Sequence, residues 1–198
     1  MDKEIRTITY KLEERQAEDG SKIIGYAAIF DSETTLFPGL NERISKGAFS
    51  DTIIKDDVRA VFNHDPNFVL GRNTSSTLKL TEDDTGLRYE ISPPDTQQAR
   101  DLMTLIRRGD ISQSSFAFQV LEDRFVIGEN GVNDLRIIEK VKLFDVSAVT
   151  FPAYVDTSVA VRSHTVWTET KNKTEIIYKK GLWRRRLDIL KQQGGSHE

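Results

Sequence analysis

Over the first 160 residues, apolar and polar positions alternate in short stretches separated by turn signals. Residues 5–12 alternate as a half-buried strand does, and residues 22–30 predict a second, with Gly25 and Ala27-Ala28 allowing close packing. Pro38 and Gly39 mark a loop, and Ser45-Lys46-Gly47-Ala48-Phe49 reads as the opening of a short helix. Residues 58–62 predict a brief apolar strand ending at His64, because proline in Asp65-Pro66 cannot continue a central ladder. Residues 77–80 and 87–91 flank Asp83-Asp84-Thr85-Gly86, a hairpin turn.

The best helix runs over 96–108. Ala99, Leu102, Met103 and Ile106 form its apolar stripe, Asp95 with Gln98 reads as a capping box, and Gly109 closes the C-terminus. Strands follow over 115–121 and 135–141, with Glu129-Asn130-Gly131 turning between them, and over 143–151, stopped by Pro152. Many short strands, one good helix and tight turns predict an α+β fold on an antiparallel β-sheet or barrel core. The pattern changes near residue 163, dividing the chain into a domain over 1–162 and a polar, basic tail over 163–198. Residues 165–174 are polar, and 175–193 predict a basic amphipathic helix that Gly181 weakens. Lys179-Lys180 with Arg184-Arg185-Arg186 form either a solvated helix face or a docking element for an acidic partner; nucleic acid is a third reading.

Composition narrows the chemistry. With 28 basic and 31 acidic residues the net charge is -3, so no overall field draws nucleic acid. The start lacks an apolar leader and no run is long enough for a membrane span, which predicts a soluble protein made without export. Cysteine is absent, so disulfides, thiolate nucleophiles and cysteine-rich zinc sites are excluded together. No metal or other cofactor is called for. Hydrolysis, if present, must use hydroxyl or carboxylate groups.

Of the 3 histidines, His164 and His197 lie in or beside the tail, leaving His64 for the folded core. Imidazole titrates in the range needed to take a proton from a hydroxyl nucleophile. Asp65 either orients the ring or caps the turn, and neighbours on an extended chain point to opposite faces, which favours the turn. In Ile111-Ser112-Gln113-Ser114-Ser115-Phe116-Ala117-Phe118, Phe116 and Phe118 share one strand face and Ser115 and Ala117 the other. Ser112 and Ser114 compete with Ser115, and parity alone does not choose. Asp145 interrupts the apolar run 143–151, a costly place for a carboxylate unless it is paired.

In this order the pieces resemble the tailed-phage (caudovirus) prohead maturation serine proteases. The resemblance runs from about Gly25 to Val161 and rests on Gly25-Tyr26-Ala27-Ala28-Ile29-Phe30, Glu42-Arg43-Ile44 with Gly47-Ala48-Phe49, Phe62-Asn63-His64-Asp65 and Leu70-Gly71-Arg72. Gly86-Leu87, Gly109-Asp110-Ile111 leading into Ser115-Phe116-Ala117-Phe118, and Val146-Ser147-Ala148-Val149-Thr150-Phe151-Pro152-Ala153 complete it. The resemblance implies a herpesvirus-protease-like fold, distantly related to the herpesvirus assemblins. It implies a serine endopeptidase working inside the assembling prohead in the bacterial cytoplasm. Its substrate would be the scaffolding protein or the scaffold-like segment of the major capsid protein precursor, then itself, and it leaves room for a homo-oligomer. By motif, His64 is the base, Ser115 the nucleophile and Asp145 the orienting third member. Ala117 stands where the family commonly has glycine. The rival expectation is a catalytically inert capsid-assembly module of the same fold.

Overall fold

A computed structural model describes residues 3–10, 12–18, 20–128, 133–151, 164–173, 176–177, 180–182 and 184–185. The chain divides into two compact units, Met1–Val159 and Ala160–Glu198.

Two sheets build the first unit. The larger has seven strands in the order β1 (Glu4–Ile8), β10 (Gln113–Val126), β11 (Asp134–Val149), β5 (Leu40–Ile44) and β4 (Thr34–Phe37). A hairpin of β6 (Arg59–Phe62) and β7 (Asp65–Arg72) attaches to it through β6, which pairs with β11. The smaller sheet runs β2 (Glu13–Ala17), β3 (Gly20–Ile29), β9 (Gly86–Ile91), β8 (Leu78–Glu82). Both sheets are open, so the α+β expectation holds in its sheet form and not as a closed barrel. Nor is the large sheet wholly antiparallel, since β11 runs parallel to both β5 and β6.

Among the described residues of the first unit the α-helices are α1 (Thr52–Lys55), a single turn, and α2 (Gln97–Arg108). Helix α2 buries Ala99, Leu102 and Ile106 and ends on Gly109 at φ 83°, a left-handed position that favours glycine. Its N-terminus differs from expectation: Thr96, not Asp95 with Gln98, supplies the cap, accepting from the Ala99 N–H. The core lies between the sheets, where Phe49 meets Phe116 edge to face at 5.6 Å and Phe116 stacks on Phe118 at 4.7 Å.

Several strands carry no visible alternation. β2 is Glu-Glu-Arg-Gln-Ala, an edge strand with almost nothing to bury. β7 begins Asp-Pro, and Pro66 is tolerated because β7 pairs only with β6. Pro38-Gly39 is the turn of the β4–β5 hairpin rather than an open loop. The strands expected over 135–141 and 143–151 are one continuous strand, β11, irregular only in its pairing with β10. The turn at 129–131 and the stop at Pro152 lie outside the described residues. In the second unit residues 164–173 are helical, so the polar stretch read over 165–174 is mostly helix.

Candidate active site

Strand register places the hydroxyls and the carboxylate. Ser115 on β10 is paired with Ser147 on β11, and Ala117 with Asp145. Asp145 and Ser147 are two residues apart on one strand, so both point to the face that carries Ser115. The opposite face of β10 sends Phe116 and Phe118 into the core, and that packing fixes which way Ser115 points.

The imidazole comes from the hairpin. Phe62 pairs with Asp65, leaving Asn63 and His64 as the two turn residues, with φ of 52° and 57°. Positive φ at both central positions marks a type I′ turn, whose twist suits adjoining strands, and Asn and His are among the side chains that tolerate it best. The turn is clamped to the end of β11. Asn63 N–H donates to Ala148 O at 3.0 Å, Thr150 N–H to Asn63 Oδ1 at 2.8 Å, and Asn63 Nδ2 to Thr150 Oγ1 at 3.1 Å.

His64 is thereby swung over β11 and β10. Its Nε2 lies 2.7 Å from Ser115 Oγ and its Nδ1 2.5 Å from Asp145 Oδ1. Burial pushes the Asp145 carboxyl up, but the His64 hydrogen bond and charge, with Lys3 at 3.1 Å, more than reverse this and hold it below its ordinary value. An ionised Asp145 accepts the Nδ1 proton, which leaves the Nε2 lone pair facing Ser115.

Ser147 joins this group, and the sequence reading did not single it out. Its hydroxyl donates to Asp145 Oδ1 at 3.2 Å, accepts from the His64 backbone N–H at 3.2 Å, and lies 3.2 Å from Nδ1. Its place two residues after Asp145 on a strand was the available signal. The other candidates fall elsewhere. Ser114 Oγ lies 2.7 Å from the Tyr89 hydroxyl in the core, where burial pushes the Tyr89 phenol above its usual range. Ser112 is exposed. Asp65 accepts from Asn67 N–H and Nδ2 at 2.8 and 3.0 Å, so it stabilises the start of β7. His164 is exposed in the second unit, its ring 5.2 Å from Trp167, and His197 lies outside the described residues.

Beside this group is a buried ionic cluster that the sequence did not announce. Arg6 on β1 donates to Glu42 on β5 at 2.6 and 2.9 Å and to Glu4 at 2.6 Å. Arg136 on β11 donates to Glu4, Glu42 and Asp123.

A hydroxyl, an imidazole and a carboxylate in line form the constellation of serine hydrolases. The chain belongs to the caudovirus prohead serine protease family, whose sequence pattern matches residues 8–172 of its 198. No curated protein and no solved structure matches it. No helix among the described residues is long and apolar enough to cross a membrane.

Proposed function

We propose that this chain is a serine endopeptidase that cuts the scaffolding protein, or the scaffold-like segment of the major capsid protein, inside the assembling prohead in the bacterial host, and then cuts itself. The observation that carries this is the unbroken line from Ser115 Oγ through His64 to Asp145, at 2.7 and 2.5 Å.

In this mechanism Ser115 Oγ bonds to the scissile carbonyl carbon while His64 Nε2 takes its proton. The tetrahedral intermediate collapses, the C–N bond breaks, and His64 gives that proton to the leaving amine. Water repeats the sequence on the acyl-enzyme and restores Ser115. Asp145 remains ionised, holding the Nδ1 proton and stabilising the imidazolium. A positioned base of this kind typically contributes about 10²–10⁴-fold. The tail over 163–198, with Lys180, Arg184 and Arg185 on helical residues, serves as a pro-segment or a scaffold-docking element.

The test is intact-mass spectrometry of the capsid precursor co-expressed with wild type or with Ser115→Ala. Defined trimming of the precursor with wild type alone supports the proposal. Trimming by both excludes Ser115 as nucleophile, and trimming by neither favours the inert assembly module.

A further inference from the structure

Ser115 has no solvent exposure, and β1 covers it. The Arg6 carbonyl oxygen lies 2.9 Å and the Thr7 hydroxyl 3.2 Å from Ser115 Oγ, while Lys3 Nζ lies 3.1 Å from Asp145 Oδ2. β1 and Lys3, the residue just before it, thus touch the hydroxyl and the carboxylate respectively. A hydroxyl has a single proton to give. Thr7 donates to Ser115, and the Ser115 proton is contested between His64 Nε2 and the Arg6 carbonyl. β1 therefore competes with the base for the proton whose removal starts the reaction.

β1 is also the outermost strand of its sheet, antiparallel to β10, with Thr7 opposite Ser115 and Arg6 opposite Phe116. An extended peptide can add to an exposed strand edge through the same main-chain bonds. The family pattern begins at residue 8, so Glu4, Arg6 and Thr7 lie outside the matched span that contains His64, Ser115 and Asp145. The Arg6 side chain enters a charged pocket whose Glu42 side chain is only 6% exposed. If β1 leaves, Glu4 and Arg6 go with it. Glu42 and Asp123 then face Arg136, an excess of one negative charge among those three groups. A cleft of ≈ 610 Å³ runs along β1 beside this pocket, lined by Arg6, Thr7, Glu42 and Phe116 among others.

We infer that β1 occupies the substrate's seat: a peptide binds as an extended strand antiparallel to β10, with an arginine or lysine side chain against Glu42 on the residue whose carbonyl meets Ser115. Cleavage follows that basic residue, and β1 is the internal competitor that must first be displaced. The inference rests on Ser115 being the nucleophile.

Two measurements on the full chain test it. A fluorophosphonate, which bonds to a reactive serine oxygen with loss of fluoride, is applied to wild type, Arg6→Gln and Ser115→Ala. Arg6→Gln is expected to label about tenfold faster than wild type, because β1 is held less tightly, and Ser115→Ala not at all. Wild type is then given peptides differing only in the residue before the cut. Arginine and lysine are expected to be cut at least about tenfold faster than alanine or glutamate, with the preference lost in Glu42→Gln. Equal labelling of wild type and Arg6→Gln, or equal cutting of arginine, alanine and glutamate peptides, overturns the inference while leaving the nucleophile in place. Labelling of no folded variant overturns both. If Arg6→Gln does not fold, the wild-type peptide series decides alone.

Discussion

Ser115 and Ser147 stand opposite one another across β10 and β11 and approach different nitrogens of a single imidazole. Ser115 Oγ meets His64 Nε2 at 2.7 Å, and Ser147 Oγ lies 3.2 Å from Nδ1. In the proposed mechanism these two hydroxyls on one face have separate tasks, one to attack and the other to hold the imidazole and the carboxylate together.

Ser147→Ala isolates the second task. The substitution leaves Ser115, His64 and Asp145 intact but removes a buried donor to Asp145 and the acceptor of the His64 N–H. Losing such a partner costs about 1–3 kcal/mol. Proteolytic kcat should fall about ten- to a hundredfold with KM unchanged, as steady-state kinetics on a peptide substrate would show. A raised KM at constant kcat would mean that Ser147 contacts substrate instead.

Asn63→Val strikes the turn. Asn63 has φ 52°, where a β-branched residue is strained, and its side chain makes the clamp to Thr150. Positive φ in such a residue costs about 1–3 kcal/mol. The midpoint of urea unfolding should drop accordingly, and activity should fall further than stability does because His64 is the next residue. Asn63→Gly relieves the strain without restoring the clamp, so it should recover stability more than activity.

Acid sensitivity follows from Asp145. Its carboxyl is held below the ordinary 3.8 in the folded chain, so the unfolded chain binds the proton more tightly. The contribution to stability is thus fully present above the unfolded value and is lost as pH falls through the folded one. The gap in unfolding free energy between wild type and Asp145→Asn should be constant near neutrality. It should narrow below about pH 4 and close in stronger acid. A gap that persists unchanged at low pH would show that the carboxylate's charge is not what stabilises the fold.

Gly86→Ala tests the packing of the smaller sheet at a distance from the site. A methyl there would lie 2.0 Å from the Ala28 carbonyl oxygen and 3.0 Å from Ile29 Cα, both backbone atoms. Overpacking of this kind costs about 1–3 kcal/mol or more, and a thermal melt should record a clearly lowered midpoint.

The three residues that the fold brings together, Ser115, His64 and Asp145, were legible where they broke a pattern. Asp145 is a carboxylate in an apolar strand, and His64 is the imidazole at the end of a strand. Ser115 shares its face with Ala117 and not with the phenylalanines, so the parity of β10 gave its direction. Choosing it over Ser112 and Ser114 required the family pattern, because exposure and core contacts come from tertiary packing. Ser147 was hidden because a serine in a buried strand looks like any small residue until its neighbours are known. The cluster of Glu4, Arg6, Glu42 and Arg136 was hidden for a related reason. Each residue occupies an unremarkable polar position in its own strand, and only the parallel register of β5 on β11 sets Glu42 against Arg136. Strands β2 and β7 escaped because edges bury too little to impose a hydrophobic period.

The ladder between β6 and β11 has a consequence of its own. It spans four residue pairs, Arg59 with Asp145 through Phe62 with Ala148, so the strand that delivers the imidazole is zipped onto the segment bearing Asp145 and Ser147. Detaching β6 removes the His64 imidazole from its carboxylate and its hydroxyl partners in a single event. The relay is therefore assembled as a unit or absent as a unit, which makes the four-pair zipper a binary element in the life of the enzyme.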